Sequence, residues 1–445
     1  RLNFSHGTHQ DHSQVIQSIR ELTAELEAPV AILQDLQGPK IRVGRFSNDS
    51  IELIDGQEIV IKSDKTESDG DFIPTDFKQL AESCKPGTRI LLDDGLLELN
   101  VTKVSGTDVY CQVVFGGILK SRKGMNLPGA MLPVECMTPK DLDDLEFGLS
   151  QKVDYVALSF VRRASDIRKL RELVDMKSPS TRIVAKIEML EAIDNLKEIV
   201  HNSDAVMVAR GDLGVEIPPE EVPMAQERIV KSARSRGLPV IVATQMLESM
   251  VSNPRPTRAE VADVANAIRH GATGVMLSGE TATGKYPVEA LQIMLRITRR
   301  AEIEWDELMA PSDAKLLLTR AVAHAGVTLA GIAEADRILV ATQHGNAARL
   351  VSAHSTSIPI TAVTNSPSVA RRVMLLPGVD AILCKEEDRG STTMRNAIRL
   401  VFENNRLTAG DRVVAISGSP KAMSDPTSTA RLYRVGEDGA VVGDE

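Results

Sequence analysis

The residues best suited to chemistry stand at the ends of short apolar runs. Lys186 and Glu188 close Arg182–Glu188, two positions apart, so an extended backbone turns both side chains the same way. Asp212 closes Asp204–Asp212, beside Gly211 and Gly214. Asp35 closes Pro29–Asp35, and Arg42 follows the Gly38-Pro39 turn. Thr244 and Gln245 close Pro239–Gln245; Ser278 and Glu280 close Thr273–Glu280. Two carboxylates on successive runs, Glu188 and Asp212, suit a hard divalent cation such as Mg2+ (or Mn2+), which takes few carboxylates and completes its shell with substrate oxygens. Lys186 and Arg42 nearby suit a phosphoryl group in transfer. One such end could equally be a buried ion pair, but five converging ends favour a reaction centre. The set offers no Cys–His pair and no Ser-His-Asp arrangement.

The elements that must position these residues follow from the runs. Each run, Asp154–Phe160 included, is short, rich in β-branched residues and followed by a helical pattern. That rhythm reads as parallel strands buried on both faces, hence an α/β (β/α)8 TIM barrel with its site at the carboxyl ends of the strands. The chain starts at Arg1-Leu-Asn-Phe-Ser-His-Gly7, inside such a pattern, so the first βα unit and most of the second strand are expected upstream of it. Residues 1–43 and 136–305 form the expected barrel. Residues 44–135 alternate apolar and polar positions between Asp-Gly, Gly-Gly and Pro-Gly turns, the pattern of a small inserted antiparallel β-barrel able to act as a lid. In 306–445 the βα alternation returns, with strands expected at Arg337–Thr342, Ile358–Val363, Asp380–Cys384 and Asp411–Ser417. Helices are expected at Ala321–Ala333 and Thr392–Asn405, which makes a doubly wound C-terminal α/β domain.

Composition removes several classes. At 445 residues the chain exceeds one ordinary domain, and 42% apolar with 25% charged residues is a globular balance. The net charge of −9 speaks against a nucleic-acid surface. No run reaches the roughly 20 apolar residues of a membrane span, and no signal peptide is present. Cys84, Cys111, Cys136 and Cys384 form no CxxC pair and read as reduced, buried thiols of a cytoplasmic protein. Gly279-Glu-Thr-Ala-Thr-Gly-Lys285 imitates a phosphate-binding loop, but Tyr286 and Pro287 follow where a metal-binding hydroxyl belongs. His6, His9 and His12 splay around a helix start instead of converging. Met246 and Met250 read as core, and Arg162–Glu172 as a solvated helix face.

Longer motifs carry a resemblance. Gln37-Gly-Pro-Lys-Ile-Arg42, Leu92-Asp-Asp-Gly-Leu96, Lys123-Gly-Met-Asn-Leu-Pro-Gly129, Met207-Val-Ala-Arg-Gly-Asp-Leu-Gly214, Ala243-Thr-Gln-Met-Leu-Glu-Ser-Met250, Pro254-Arg-Pro-Thr-Arg-Ala-Glu260 and Met276-Leu-Ser-Gly-Glu-Thr-Ala282 join the opening seven residues and Lys186-Ile-Glu188. Along essentially its whole length the chain resembles the pyruvate kinases. The resemblance implies transfer of the phosphoryl group of phosphoenolpyruvate to ADP, giving pyruvate and ATP. It implies Mg2+ on Glu188 and Asp212, Lys186 against the transferring phosphoryl, and Arg1 and Arg42 at its sides. Gly211, Asp212 and Thr244 would cradle the substrate carboxylate, while Thr244, Ser278 and Glu280 would serve the relay that protonates the enolate. Asp94, Lys123 and His6 would approach the nucleotide. A homotetramer is the family's habit. A lyase built on the same barrel has no use for the inserted lid, and a regulatory homologue has no use for the full set of strand-end residues.

Two features depart from the potassium-dependent members. Those carry Thr-Lys-Gly-Pro-Glu where this chain has Leu36-Gln37-Gly38-Pro39-Lys40, and they bind a monovalent cation with side chains matching Asn3, Ser5 and Asp35. Lys40 brings a tethered ammonium in place of that carboxylate, so K+ is expected not to be required. In the C-terminal domain, Thr342, Gln343, His344, Gly345 and Asn346, with Arg349 beyond, match the effector loop of regulated members. Ser417, Gly418, Ser419 and Lys421 would form its second half. Few hydroxyls on these residues favour a sugar monophosphate as the activator.

Overall fold

The computed structural model describes residues 1–130, 133–303, 317–354, 357–385, 387, 390–418 and 427–442. Seven parallel strands make the first sheet, in the order Leu2–Asn3, Leu33–Asp35, Tyr155–Leu158, Arg182–Ile187, Ala205–Ala209, Val240–Ala243 and Gly274–Met276. Each apolar run contributes one strand; Asp35 and Lys186 are still paired in the ladder, which ends before the other polar residues. Glu188, Asp212, Thr244 and Ser278 lie past the last paired positions and are free to line the rim.

Alternation along these strands divides the core in two. Val156, Leu158, Ile183, Ala185, Val206, Val208, Val240 and Val242 pack outward against the helices. Tyr155, Ala157, Val184, Ala205, Met207, Ile241 and Ala243 pack together on the inner face. Both faces are therefore buried, as continuous apolar runs require. The Gly274–Met276 strand at the end of the order is only half-buried. Helices begin where the sequence caps them. Thr8 with Asp11, Thr138 with Asp141 and Thr257 with Glu260 form reciprocal capping boxes ahead of His9–Glu25, Pro139–Ser150 and Arg258–Arg269.

The inserted segment forms a six-stranded sheet in the order Met125–Asn126, Arg89–Leu92, Leu97–Ser105, Asp108–Phe115, Glu58–Lys62 and Ile73–Pro74, around its own core. It is mostly antiparallel, with two short parallel pairs that the alternation did not foretell: Glu58–Lys62 with Ile73–Pro74, and Arg45–Phe46 with Glu67–Ser68.

The C-terminal sheet runs Val379–Leu383, Ile360–Thr364, Arg337–Ala341, Arg412–Gly418, Thr427–Val435 and Val441–Val442. The first four strands are parallel and match the expected ones; the last two add antiparallel edges. This sheet docks on the amino ends of the barrel strands. Tyr155 Oη donates to the Arg372 carbonyl at 2.9 Å, and Arg371 Nε reaches Asp154 at 2.9 Å.

Met246 and Met250 are fully buried, as expected. Arg162 is not on a solvated face: it is buried, donates to the Val134 carbonyl and lies beside Asp166. Cys84 is half-buried and the other three cysteines are buried; all four are free. The barrel limit near Trp305 falls outside the described residues. Among the described residues no helix is long and apolar enough to cross a membrane.

Candidate active site

Lys186 is the hub of the barrel mouth. Its Nζ lies 2.8 Å from Glu188 Oε1, 3.2 Å from Asp35 Oδ1 and 2.7 Å from Ser159 Oγ. The two-residue spacing on the strand thus does bring Lys186 and Glu188 together. Burial works against the ammonium, but Glu188 and then Asp35 outweigh it and raise the Lys186 pKa, so the side chain stays charged. Full burial pushes the Glu188 carboxyl up, opposed by Lys186, while the charge of Asp212 adds to the rise. The Phe160 amide donates to Glu188 Oε2 at 2.7 Å and also favours the carboxylate.

Local backbone explains how Phe160 does this. Its φ is +53°, a left-handed turn after the Tyr155–Leu158 strand that aims the amide inward. Gly38 packs against that turn at φ +71°. A Cβ there would come 2.8 Å from the Phe160 ring and 2.9 Å from Ser159 Cβ, so glycine is required.

Asp35 spends its second oxygen on Arg1, whose Nη2 and Nε stand at 2.6 and 2.8 Å. Ser159 donates to the Leu36 carbonyl at 2.7 Å and the Ser5 amide donates to Asn3 Oδ1 at 3.2 Å. Asp212 lies at the head of the Arg210–Glu216 helix, where Lys40 Nζ approaches its Oδ1 to 3.1 Å. Lys40 also faces Asp94 of the lid at 3.8 Å. The ammonium predicted to replace a monovalent cation therefore sits on Asp212, between barrel and lid.

Thr244 has a φ of +69° and Gln245 one of +54°. Arg210 holds this strained pair, its Nη2 donating to the Thr244 and Gln245 carbonyls at 2.7 and 3.3 Å, while its Nη1 binds Asp263 at 2.7 Å. Thr244 Oγ1 accepts from the Gly211 amide at 2.8 Å. Glu280 is buried and bridges two loops, accepting from the Leu247 amide at 3.0 Å and the Ser278 amide at 2.7 Å.

Other expected residues stand apart from this hub. Arg42 donates to the Arg122 carbonyl at 3.0 Å, and Lys123 pairs with Asp93 at 2.7 Å. His6 is exposed, and its carbonyl accepts from His12 Nε2, whose ring stacks on Phe4. His9 is bound to Asp144. The three histidines share no centre, as their spacing implied.

In the C-terminal sheet, Thr342 Oγ1 accepts from the Gly345 amide at 2.9 Å, and Ser417 Oγ faces Thr429 Oγ1 at 3.1 Å beside Gly418. Gln343 and His344 are exposed, and Asn346 opens a seven-residue helix. Arg349 turns away from that loop and donates to the barrel carbonyls of Arg236 and Gly237 at 2.8 and 3.1 Å. Ser419 and Lys421 lie outside the described residues.

Sequence reasoning passed over Ser159, Arg210, Asp263 and a lid contact, Asn126 Nδ2 to Glu216 Oε1 at 3.4 Å. The signal for Ser159 was its place at the end of the Asp154–Phe160 run.

Glu188 and Asp212 provide the hard oxygen donors that Mg2+ prefers, and two carboxylates leave room for substrate oxygens. Glu188 Oε1 has Lys186 as its charged neighbour and no well-directed hydrogen bond, so it retains acceptor capacity. No group of three or more His, Cys, Asp and Glu converges as a metal cluster among the described residues.

Known proteins resemble this chain in sequence and in fold. The family described as "Pyruvate kinase, barrel domain" matches residues 1–291, and "Pyruvate kinase, alpha/beta domain" matches 320–433. The chain is 45% identical over 439 residues to pyruvate kinase 2 of Synechocystis sp., covering 97% of this chain and 74% of that protein. It is 40% identical to a pyruvate kinase of Staphylococcus aureus (strain MRSA252), covering all of this chain and 78% of the other. A crystal structure of a pyruvate kinase from Cryptosporidium parvum superimposes with a TM-score of 0.88 at 34% identity, over 98% of this chain and 90% of that one. With both of its family regions matched in order, and relatives aligned over nearly its full length, the chain belongs to the pyruvate kinase family.

Proposed function

We propose that this enzyme carries the phosphoryl group of phosphoenolpyruvate to ADP, giving pyruvate and ATP, at the mouth formed by Lys186, Glu188 and Asp212. One observation carries the reading: a charged lysine, buried between Glu188 and Asp35, at the carboxyl end of a barrel strand. Phosphoryl transfer needs positioning and stabilisation of charge more than covalent help. Lys186 supplies a fixed positive charge, which costs no reorganisation when the transferring oxygens become more negative. Arg1, already at the rim on Asp35, and Arg42 would hold the phosphate from its sides. Thr244 and the Gly211 amide would orient the substrate carboxylate.

Glu188 and Asp212 would hold Mg2+ (or Mn2+), which when bound neutralises phosphate and enol oxygens. Lys40 must then share Asp212 with the metal or swing toward Asp94. After transfer, the hydroxyls of Thr244 and Ser278 serve the path that brings a proton to carbon, with Glu280 setting the position of the Ser278 amide. Asp94, Lys123 and His6 would meet the nucleotide. In this reading 1–43 with 136–305 is the catalytic unit, 44–135 the lid and 306–445 the regulatory unit.

Lys40, five residues after Asp35 and four after Leu36, supports turnover without K+; Asn3, Ser5, Asp35 and Leu36 would form the matched cation neighbourhood. The Thr342–Asn346 loop and Ser417–Lys421 support activation by a sugar monophosphate. A cytoplasmic homotetramer completes the reading, in keeping with the family and with four free thiols. A coupled assay for ADP-dependent pyruvate release tests the core of it. Lys186→Met is expected to lower kcat by at least about 100-fold. A variant that keeps a tenth of wild-type kcat would overturn the assignment.

A further inference from the structure

The inserted segment meets the barrel through one corner. The Met125–Asn126 strand pairs with Arg89–Leu92, Met125 opposite Leu92 and Asn126 opposite Leu91. The chain then turns through Asp93, Asp94 and Gly95 at φ of +50°, +56° and +87°. Two successive non-glycine residues in the left-handed region cost conformational energy, and a loop keeps them only where its surroundings fix it. The fixing comes from the neighbouring strand: the Asp93 amide donates to the Gly124 carbonyl at 3.1 Å, and Lys123 Nζ lies 2.7 Å from Asp93 Oδ1. The Val43 and Met125 amides donate to the Lys123 and Ile41 carbonyls, each at 2.9 Å, so the corner is also stitched to the stretch that leaves the barrel. Residues 91–95 and 123–126 therefore make one rigid corner.

That corner rests on the last turn of the Arg210–Glu216 helix. A Cβ built on Gly95 would stand 3.9 Å from Val215 Cγ2, an ordinary van der Waals distance, so the loop backbone lies against the valine. Asn126 Nδ2 donates to Glu216 Oε1 at 3.4 Å. Glu216 is only 6% exposed, and among the described residues its carboxyl pairs with no cation. Burial raises its pKa to about 7, opposed by the hydrogen bond from Asn126. A carboxyl kept out of water on these terms costs desolvation that an apolar side chain at the same place would avoid. Its bond to Asn126 is longer than the usual distance of about 2.9–3.0 Å, so the contact is made but not tightened.

We propose that Val215 and Glu216 form the seat on which the lid closes, and that Glu216, through Asn126, is a positioning residue for the nucleotide. The inference rests on the reading above, in which Asp94 and Lys123 meet the nucleotide. Closing shortens the Asn126–Glu216 bond, and the rigid corner carries that movement to Asp94 and Lys123. The seat thereby sets the height of these two groups above Asp212, which stands in the first turn of the same helix. Phosphoenolpyruvate, held by barrel residues, does not depend on it.

The test is steady-state kinetics on the full-length protein, with ADP and phosphoenolpyruvate varied in turn. Asn126→Leu removes the donor at nearly constant volume. Asn126→Asp/Glu216→Gln exchanges acid and amide, so the bond survives with its direction reversed and the net charge is unchanged. The expected result for Asn126→Leu is a KM for ADP raised at least about fivefold, with kcat and the KM for phosphoenolpyruvate within about twofold of wild type. The exchanged pair is expected within about twofold of wild type in all three constants. A KM for ADP within about twofold of wild type in Asn126→Leu overturns the seat, including where kcat falls, the mark of a contact that only supports the fold. An exchanged pair as impaired as Asn126→Leu overturns it as well. These failures leave the nucleotide reading standing, whereas a wild type that releases no pyruvate removes both. Should a variant misfold, amide exchange on the wild type decides. Slowing by ADP with Mg2+ at residues 93–96, 124–127 and 213–217 together supports the seat, and slowing that spares 213–217 overturns it.

Discussion

Lys40 Nζ stands 3.1 Å from Asp212 Oδ1, so an ammonium on the turn after the Leu33–Asp35 strand compensates an acid at the head of the Arg210–Glu216 helix. A positive charge is thus tethered to a site acid that Lys186 does not touch at short range. Turnover in a buffer free of K+ and Na+ is expected to stay within about tenfold of the rate with K+, a difference worth roughly 1.4 kcal/mol. Lys40→Glu should become K+-dependent. Steady-state rates against K+ concentration for both proteins decide the matter, and a wild type that is inert without K+ sinks the idea.

Removing Lys186 has a structural cost separable from its chemistry. Lys186→Met leaves Glu188 buried beside no cation and takes from Asp35 one of its two. Breaking a buried pair from one side costs about 3–5 kcal/mol, whereas removing both charges costs much less. Lys186→Met/Glu188→Gln is therefore expected to recover a large part of the stability lost in Lys186→Met, with no recovery of activity. Urea unfolding of the single and double variants measures this, and equal stabilities would contradict the pairing.

Glu280 acts through what it holds. Both of its oxygens are engaged by backbone amides, of Leu247 and Ser278, from two different loops. Glu280→Gln turns one acceptor into a donor facing an N–H, at a cost of about 1–3 kcal/mol. The expected signature is a lower kcat with an unshifted pH profile, because Glu280 positions Ser278 and exchanges no proton. A profile that loses one limb in the variant would instead make Glu280 a proton carrier.

The lid contact predicts a pH effect. Burial raises the Glu216 pKa to about 7, opposed by the hydrogen bond from Asn126 and helped by Asp212. The folded protein therefore holds this proton more tightly than the unfolded chain does. Its contribution is full below the ordinary glutamate range and is lost as pH rises through about 7. Glu216→Gln should flatten this decline between pH 5 and pH 8, by up to about 3 kcal/mol from the shift. Thermal unfolding across that range compares the two proteins; parallel curves would remove Glu216 from the account.

Much of the site was legible because its residues obey strand geometry. Lys186 and Glu188 needed only the two-residue period, and Asp212 only its place after an apolar run. Ser159 was visible but mute, since a hydroxyl acquires meaning from the neighbouring strand that brings Lys186 to it. Arg210 lay inside the Ala-Arg-Gly-Asp stretch read for its aspartate, and its work depends on the left-handed Thr244-Gln245 turn. Arg349 was assigned by the loop preceding it, whereas its direction is set by how the C-terminal sheet docks on the barrel. The antiparallel Thr427–Val435 strand escaped because most of its side chains face solvent and its alternation is weak. Local periodicity thus carried the strand ends, and contacts between distant segments carried the rest.

Asp154 is buried and accepts from the Ile32 amide, from Arg20 of the first helix and from Arg371 of the C-terminal part. One carboxylate thereby fastens three stretches of chain that are far apart in sequence. Cutting the protein after the barrel would strip this acid of one of its two cations and bare the surface that Tyr155 now shares with Arg372. Attempts to produce the front portion by itself should yield a sticky, less cooperative fragment, and the rear portion belongs in any expression design meant to keep the front intact.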